Sequence, residues 1–504
     1  MPEHGYRLAR QPNVPDGRRD AVAFVHGDRR VTFAALDARA SAFAAAAVEA
    51  GLVPGDRVLL LMPNAPETFE LLIGCARAGL VAVPVNWRLA PEEARAVARD
   101  ARARAVVADP SLSDLLRSVT DGLDVRLSLR VGEEYDEWLS RPRRAFEPVA
   151  GDPETVVLQV YTSGTSGRPK GVLITDRNLE AKVPQVTPLW GLSADSMSLL
   201  ATPLFHVGAL SWGLAGMYAG ATTVLAGDAS AATLLRHLVE DRISHTFLVP
   251  AMITRLCEAA APDATFPDLR AIVYGASPIT PEGQAAALQT FGPVLHHVYG
   301  MSETTGAFTE MPADPDLPAD SPLLRSAGRP YPWVELEIRD PETGASVPTG
   351  EYGEVWTRSA QNTPGYFGLP EETRTLLTDD GWLRTGDGGR LDAEGRLFLT
   401  DRVKDMVITG GENVYPEEVE EVLRRHPGVA EVAVFGIPDA RWGEAVAAAV
   451  VPRPDCVPTP DELVAFTDGL LAGYKRPRTV VVVDDLPRNP TGKILRRRLQ
   501  EQYA

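Results

Sequence analysis

Five consecutive apolar residues, Val58-Leu59-Leu60-Leu61-Met62, set the fold class of this chain. A run that short, with no polar alternation, suits a strand buried on both faces, as strands inside a parallel sheet are. The segments around it continue the pattern. Val31-Thr32-Phe33-Ala34-Ala35-Leu36-Asp37 opens an alanine-rich amphipathic helix that runs to about Ala50, where Gly51 stops it. After the strand, Asn64 is placed to cap a helix through Ala78, Val81–Asn86 reads as the next strand, and Pro91-Glu92 starts another helix. Strands that alternate with helices build a doubly wound parallel sheet.

A chain of 504 residues is too long for one core. Beyond residue 320 the texture changes to short β-rich segments with turns, Val334–Ile338 and Gly350–Trp356, which predict a small barrel-like portion. After Asp405 the chain reads as a compact α+β module. Pro416-Glu417-Glu418 begins a helix, strands follow at Glu431–Phe435 and Val446–Val451 through a turn-rich stretch holding Pro438 and Gly443, and a further helix is expected at about 460–471. The expected organisation is a large N-terminal α/β domain over residues 1–401, with doubly wound sheets plus the barrel-like portion. A boundary at 402–405 separates it from a small α+β C-terminal domain over 406–504.

A formal net charge of −18 argues against general nucleic-acid binding, so an anionic substrate needs local basic groups. Cys75, Cys257 and Cys456 lie far apart, with neither metal-ligand spacing nor a disulfide framework, which fits a reducing cytosol. No apolar run reaches membrane-spanning length and the start lacks the regions of a signal peptide. A cytoplasmic protein is expected.

Chemistry concentrates in a few loops. Val156–Val160 reads as a buried strand that closes into Tyr161-Thr162-Ser163-Gly164-Thr165-Ser166-Gly167-Arg168-Pro169-Lys170-Gly171. Its glycines allow close backbone approach, its hydroxyls and N–H groups can line an anion, and Lys170 adds a point charge for phosphate oxygens. The Walker loop needs Ser or Thr directly after the lysine, and Gly171 stands there, so this is a phosphate loop of another kind. Ile272-Val273-Tyr274-Gly275-Ala276-Ser277-Pro278 runs from a strand into a turn whose small residues let a flat ring lie on backbone. Val298-Tyr299-Gly300-Met301-Ser302-Glu303-Thr304 is a second strand-loop, and its adjacent hydroxyl and carboxylate suit a hard Mg²⁺ ion and a phosphate oxygen. Further on stand Pro203-Leu204-Phe205-His206-Val207-Gly208, Trp382-Leu383-Arg384-Thr385-Gly386-Asp387, Asp401-Arg402-Val403-Lys404-Asp405 and Pro487-Arg488-Asn489-Pro490-Thr491-Gly492-Lys493.

From about residue 20 to 500, these stretches in this order resemble the adenylate-forming superfamily, which includes acyl-CoA synthetases, aryl-CoA ligases, firefly luciferase and peptide-synthetase adenylation domains. The resemblance implies ATP, Mg²⁺ and coenzyme A as co-substrates and cofactor, and a small carboxylic acid as substrate. It implies that Thr162 to Gly167 and Lys170 hold ATP phosphates, and that Gly275, Ala276, Ser277, Tyr299, Gly300, Met301 and Ser302 receive the AMP portion. Glu303 would carry Mg²⁺, Asp387 and Arg402 would take ribose and phosphate, and Lys493 would be the catalytic lysine. His206 would sit by the acyl carboxylate; Val207, Gly208, Trp212, Tyr274, Gly300, Met301, Gly306 and Ala307 would line the acyl pocket with it. Lys404 would be a hinge that withdraws Lys493 and brings Gly410 and Gly411 beside pantetheine. Ser302 replaces the family's common Thr and keeps the hydroxyl; Asp176 replaces a usual His outside the chemistry.

The leading expectation is an acyl-CoA synthetase for a medium-to-large, largely apolar monocarboxylate, because Gly208 removes a wall that plant hydroxycinnamate ligases build from tyrosine. A ligase that loads the phosphopantetheine of a carrier protein is the alternative, with a malonyl-CoA-type dicarboxylate synthetase beside it. For the latter, Arg255 would be the group reading a second carboxylate. A monomer or homodimer is expected.

Overall fold

The computed structural model describes the chain except residues 1–5, 144–147, 149–151, 164–168, 278, 319–320, 403–405, 410–411, 415, 440–441, 469, 472 and 489–493. It divides into two compact units, residues 1–324 with 358–381, and residues 325–357 with 382–504.

The first unit holds the doubly wound sheets. One runs Leu127–Arg130, Ala103–Ala108, Arg57–Leu61, Val81–Pro84, Val156–Ser163, Pro169–Thr175. Every neighbouring pair is parallel except the last, a hairpin-like antiparallel pair. The apolar run that fixed the fold class is an interior strand here, with Leu59 and Leu61 fully buried in a core that also holds Val83, Val97 and Val106. The other sheet runs, within this unit, Gly306–Met311, Leu295–Met301, Ala271–Tyr274, His245–Leu248, Met197–Leu200, Thr222–Leu225, Val22–His26, Arg29–Thr32. Its middle strands are all parallel, and antiparallel pairs close the two ends.

Two helix starts are made in different ways. Thr32 accepts the Ala35 N–H and caps helix Phe33–Glu49. Asn64 does not cap its helix. That helix spans Pro66–Arg77, and Pro66 at the first position has no N–H that needs a partner. The Asn64 amide instead donates to the Thr202 carbonyl at 2.8 Å and accepts the Leu204 N–H at 2.9 Å, so it ties down the loop before His206. Asp176 is likewise structural. Its buried carboxylate accepts the Leu8 N–H at 2.8 Å, and burial raises its pKa to about 6.

The second unit holds a four-stranded sheet, Glu335–Arg339, Gly353–Arg358, Leu383–Leu391, Leu397–Arg402, and the module after residue 406. In that module Val429–Asp439 and Gly443–Pro452 form one long antiparallel pair. The stretch with Pro438 and Gly443, expected as turns, is part of this ladder, and Pro438 pairs with Glu444. The hairpin ladder runs on through the local turn signals there. Thr479–Val482 adds a parallel strand, and the sheet is covered on both faces by separate clusters, around Val419 and Val434 on one side and Phe435 and Leu499 on the other. The helix expected at 460–471 ends at Phe466. Compactness thus groups the four-stranded sheet with the C-terminal module; a hinge concerns movement, and residues 403–405 lie outside the described set.

Candidate active site

The strands that flank the glycine-rich stretch pair with Thr162 opposite Lys170 and Ser163 opposite Pro169. The strand therefore continues through Thr162 and Ser163. Gly164, Thr165, Ser166 and Gly167 fall between the paired ends and outside the described residues. The Lys170 ammonium stands 5.0 Å from the centroid of the Tyr366 ring, and the Tyr366 hydroxyl donates to Glu303 Oε1 at 2.7 Å. A cation, a phenol and a carboxylate are linked in series. Tyr366 is held there because its segment runs beside Pro169–Thr175: Leu173 N–H donates to the Gly365 carbonyl and Phe367 N–H to that of Gly171.

Glu303 sits in a short turn, Ser302–Thr304, and is 6% exposed. Hydrogen bonds brace the turn throughout. The Glu303 carbonyl accepts the Thr363 N–H at 2.8 Å, and the Gln361 amide donates to the carbonyls of Thr304 and Ala307 at 2.8 and 3.0 Å. Thr305 is left-handed at φ 53°, and its hydroxyl donates to the Gln361 carbonyl at 2.7 Å. Its own carbonyl accepts Lys182 Nζ at 2.7 Å and Ser211 Oγ at 3.0 Å. One carboxylate beside the Ser302 hydroxyl fits Mg²⁺, which binds through one or two carboxylates, substrate phosphates and water. An all-protein cage does not form: no group of three metal-ligating side chains occurs among the described residues.

Beside this turn, two neighbouring parallel strands end in bare backbone. A Cβ on Gly275 would lie 2.3 Å from the Val298 carbonyl oxygen, and one on Gly300 would lie 2.1 Å from that of Gly306. Only glycine fits either place. Ala276 follows in the left-handed region at φ 71°, Ser277 is half-buried, and the Tyr299 ring packs on Phe308 at 4.9 Å. Such a surface accepts a flat ring.

In the second unit, Asp387 and Arg402 are register partners across antiparallel strands. The Asp387 N–H donates to Thr385 Oγ1 at 3.1 Å, and Gly386, at φ 70°, sits at a register irregularity inside strand Leu383–Leu391 and not in the turn expected there. Lys404, Gly410, Gly411 and Lys493 lie outside the described residues.

On the acyl side, His206 is the N-cap residue of helix Val207–Ala219. It keeps surface exposure, yet partial burial of its ring first and the Arg88 guanidinium second lower its pKa, so the imidazole is neutral near pH 7. Gly208 opens no empty space, because a Cβ there would stand 2.9 Å from the Phe247 ring. Phe247 lies 6.5 Å from Trp212, which in turn packs on Trp190 at 5.4 Å. Val207, Met301 and Ala307 are half-buried, and Gly306, at φ 99°, faces Lys182. Tyr274 stands apart. Register pairs Phe247 with Val273 and Leu248 with Tyr274, so Tyr274 points to the opposite sheet face from Phe247 and Trp212. It is completely buried there, stacked 5.0 Å from His297.

This geometry, a lysine of the glycine-rich stretch linked through a tyrosine to a buried carboxylate next to bare backbone, coincides with two family matches. Residues 12–367 match the AMP-binding enzyme model, and residues 418–493 match the AMP-binding enzyme C-terminal domain. The chain belongs to the AMP-binding enzymes. A fatty acid–[acyl-carrier-protein] ligase of Streptomyces coeruleorubidus is 37% identical over 94% of this chain and 92% of its own length. A feruloyl-CoA synthase of Amycolatopsis is 35% identical over 96% of each. Among solved structures, ATP-bound MatB from Rhodopseudomonas palustris superposes with a TM-score of 0.86 at 29% identity, covering 99% of both chains. This AMP-binding enzyme is an AMP-forming acid–thiol ligase with an α/β N-terminal domain, and no helix among its described residues is long and apolar enough to cross a membrane.

Sequence reasoning passed over four residues of this AMP-binding enzyme's site. Tyr366, in Gly365-Tyr366-Phe367, carries no local signal, since its role comes from pairing with a strand nearly two hundred residues earlier. Phe247 looks like any apolar strand residue. Lys182 looks like a solvated helix lysine and is 1% exposed. Arg88 follows the strand read over Val81–Asn86 and carries no signal of its own, although its charge reaches His206.

Proposed function

We propose that this AMP-binding enzyme is an acyl-CoA synthetase for a medium-to-large, largely apolar monocarboxylate. A carboxylate oxygen attacks the α-phosphorus of ATP, the bond to the β-phosphate breaks, and pyrophosphate leaves. The thiol of CoA then attacks the acyl carbon, loses its proton, and AMP departs with the shared oxygen. Lys170 and the hydroxyls at 162–166 hold the outgoing phosphates, and Lys493 bridges carboxylate and α-phosphate oxygens as charge develops. Bound through Glu303, Mg²⁺ would supply charge neutralisation at the phosphates. Tyr366 holds the Glu303 carboxylate in place, and neutral His206 leaves the substrate carboxylate unpaired and nucleophilic. Rotation about Lys404 then exchanges Lys493 for Gly410-Gly411.

The observation that carries this reading is the series Lys170–Tyr366–Glu303. The apolar acid is supported by the rings of Phe247, Trp212 and Trp190. Against a dicarboxylate, Arg255 is exposed on helix Pro250–Ala259. A second reading, transfer to a carrier-protein thiol, is favoured by the relative named as a carrier-protein ligase. The test is pyrophosphate release across a panel of acids, alone, with CoA, and with a phosphopantetheinylated carrier protein. Acid-dependent release accelerated by CoA is expected. Acceleration by the carrier alone selects the second reading, and no acid-dependent release overturns both.

A further inference from the structure

Lys182 is a buried amine with more donors than its surroundings use. It lies on helix Asp176–Leu189, is 1% exposed, and its Nζ makes one hydrogen bond among the described residues, to the Thr305 carbonyl at 2.7 Å. That carbonyl does not need it, because Ser211 Oγ donates to the same oxygen at 3.0 Å and two lone pairs are thereby filled. No carboxylate pairs with Lys182 among the described residues. Its remaining N–H groups are therefore unspent in a place where an unpaired donor is costly.

The position of that surplus is informative. Lys182 Nζ is 2.6 Å from where a Cβ of Gly306 would stand, so the lysine tip fills the space that a side chain on the 306 wall would occupy. Trp212, next to Ser211, leaves its buried indole N–H without a partner as well. What is missing at Lys182 is an acceptor.

We propose that Lys182 is a specificity residue that hydrogen-bonds an oxygen substituent carried by the acid away from its reacting carboxylate. This rests on the acyl assignment of Gly306 and Ala307 above. The substrate class narrows from an apolar monocarboxylate to one whose chain or ring bears an oxygen acceptor, with the rest of the acid against the Phe247 and Trp212 rings. Burial lowers the Lys182 pKa well below the ordinary lysine value, and a neutral acceptor such as a hydroxyl, ether or carbonyl takes its N–H without bringing a second charge into this buried place.

The test compares matched acids by pyrophosphate release in wild type and in Lys182→Met: octanoate against 8-hydroxyoctanoate and suberate, and cinnamate against 4-hydroxycinnamate. Wild type is expected to prefer at least one oxygenated, neutral-tailed partner by about tenfold in kcat/KM, the scale of one buried hydrogen bond. In Lys182→Met that ratio should collapse toward one. Lys182→Gln, which keeps a donor and serves if the methionine variant does not fold, should retain an intermediate ratio. A wild-type ratio near one, an unchanged ratio in both variants, or an equal loss for every acid overturns the proposal, the last by showing a mere brace for Thr305. Suberate leading would replace the neutral acceptor by a carboxylate and overturn the class stated. Absence of release with all acids would instead sink the adenylation reading, so the two failures are distinct.

Discussion

The turn around Glu303 and the wall around Gly208 lie in the same compact unit and are built on opposite principles. Around Glu303 nearly every polar atom is answered by another: Thr305 to Gln361, Gln361 to Thr304 and Ala307, Tyr366 to Glu303. Around Gly208 the contacts are rings, Phe247 against Trp212 and Trp212 against Trp190, with both indole N–H groups left over. Directional bonds fix an oxygen to a few tenths of an ångström, which a phosphate and a metal require. Ring packing fixes only a volume, and volume can be traded between neighbours. On the proposed reading, the chemistry is rigid and the acid's shape adjustable within one unit.

If that contrast holds, charge removal on the nucleotide side costs most. Lys493→Ala should slow acyl-AMP formation by about 10²-fold or more while thioester formation from supplied acyl-AMP survives; an equal fall in both half-reactions would break the assignment. Next, Lys404→Pro fixes φ near −65°, a value of about that size imposed by the ring, and removes an N–H. It should leave adenylation intact and abolish transfer to CoA, measured as AMP-linked acid that accumulates; full activity in both steps would remove Lys404 from the hinge.

Tyr366→Phe sharpens the comparison at a single oxygen. Loss of its bond to Glu303 should lower kcat roughly tenfold, the scale of a hydrogen bond to a charged group, and raise the Mg²⁺ concentration needed for half-maximal rate. An unchanged Mg²⁺ dependence would mean that the phenol only packs. On the acyl side, Phe247→Ala should change preference rather than chemistry: kcat/KM for bulkier acids rises several-fold and that for the preferred acid falls by a similar factor. A uniform drop for all acids would show that the rings brace the fold instead of shaping a site.

The smallest effect on activity, visible mainly in stability, comes from His245 at the head of the Phe247 strand. It is buried, its Nδ1 lies 2.7 Å from Ser244 Oγ, and burial first, then Arg270 and His296, lower its pKa to about 4. A depressed pKa contributes stability that is present above the unfolded value of 6.5 and is lost as pH falls toward 4. Denaturant unfolding should therefore lose about 2 kcal/mol less between pH 7 and 4.5 in His245→Asn than in wild type. Equal losses would show the imidazole already protonated or solvated.

Much of the fold was legible because it is local. The Val58–Met62 run is an interior strand, Thr32 caps the helix that follows it, and the alternation of strand and helix gives the doubly wound sheet. Pro438 and Gly443 misled because the hairpin ladder runs on through them, and Asn64 because its amide found partners at Thr202 and Leu204. The candidate nucleotide residues were legible for the same reason that they are rigid: Gly275, Gly300 and the Ser302-Glu303 pair are required by backbone and charge within a few residues.

By itself, then, the sequence determined which family this chain belongs to, since glycines, hydroxyls, a carboxylate and lysines in short order carry the resemblance to the AMP-binding enzymes. Only the tertiary structure decided what surrounds those groups. It filled the opening at Gly208 with Phe247, turned Tyr274 to the far face of the sheet, set Tyr366 between Lys170 and Glu303, and buried Lys182 against Gly306. Those are contacts between segments tens to hundreds of residues apart, and side-chain volume and register set them only once the sheets have closed.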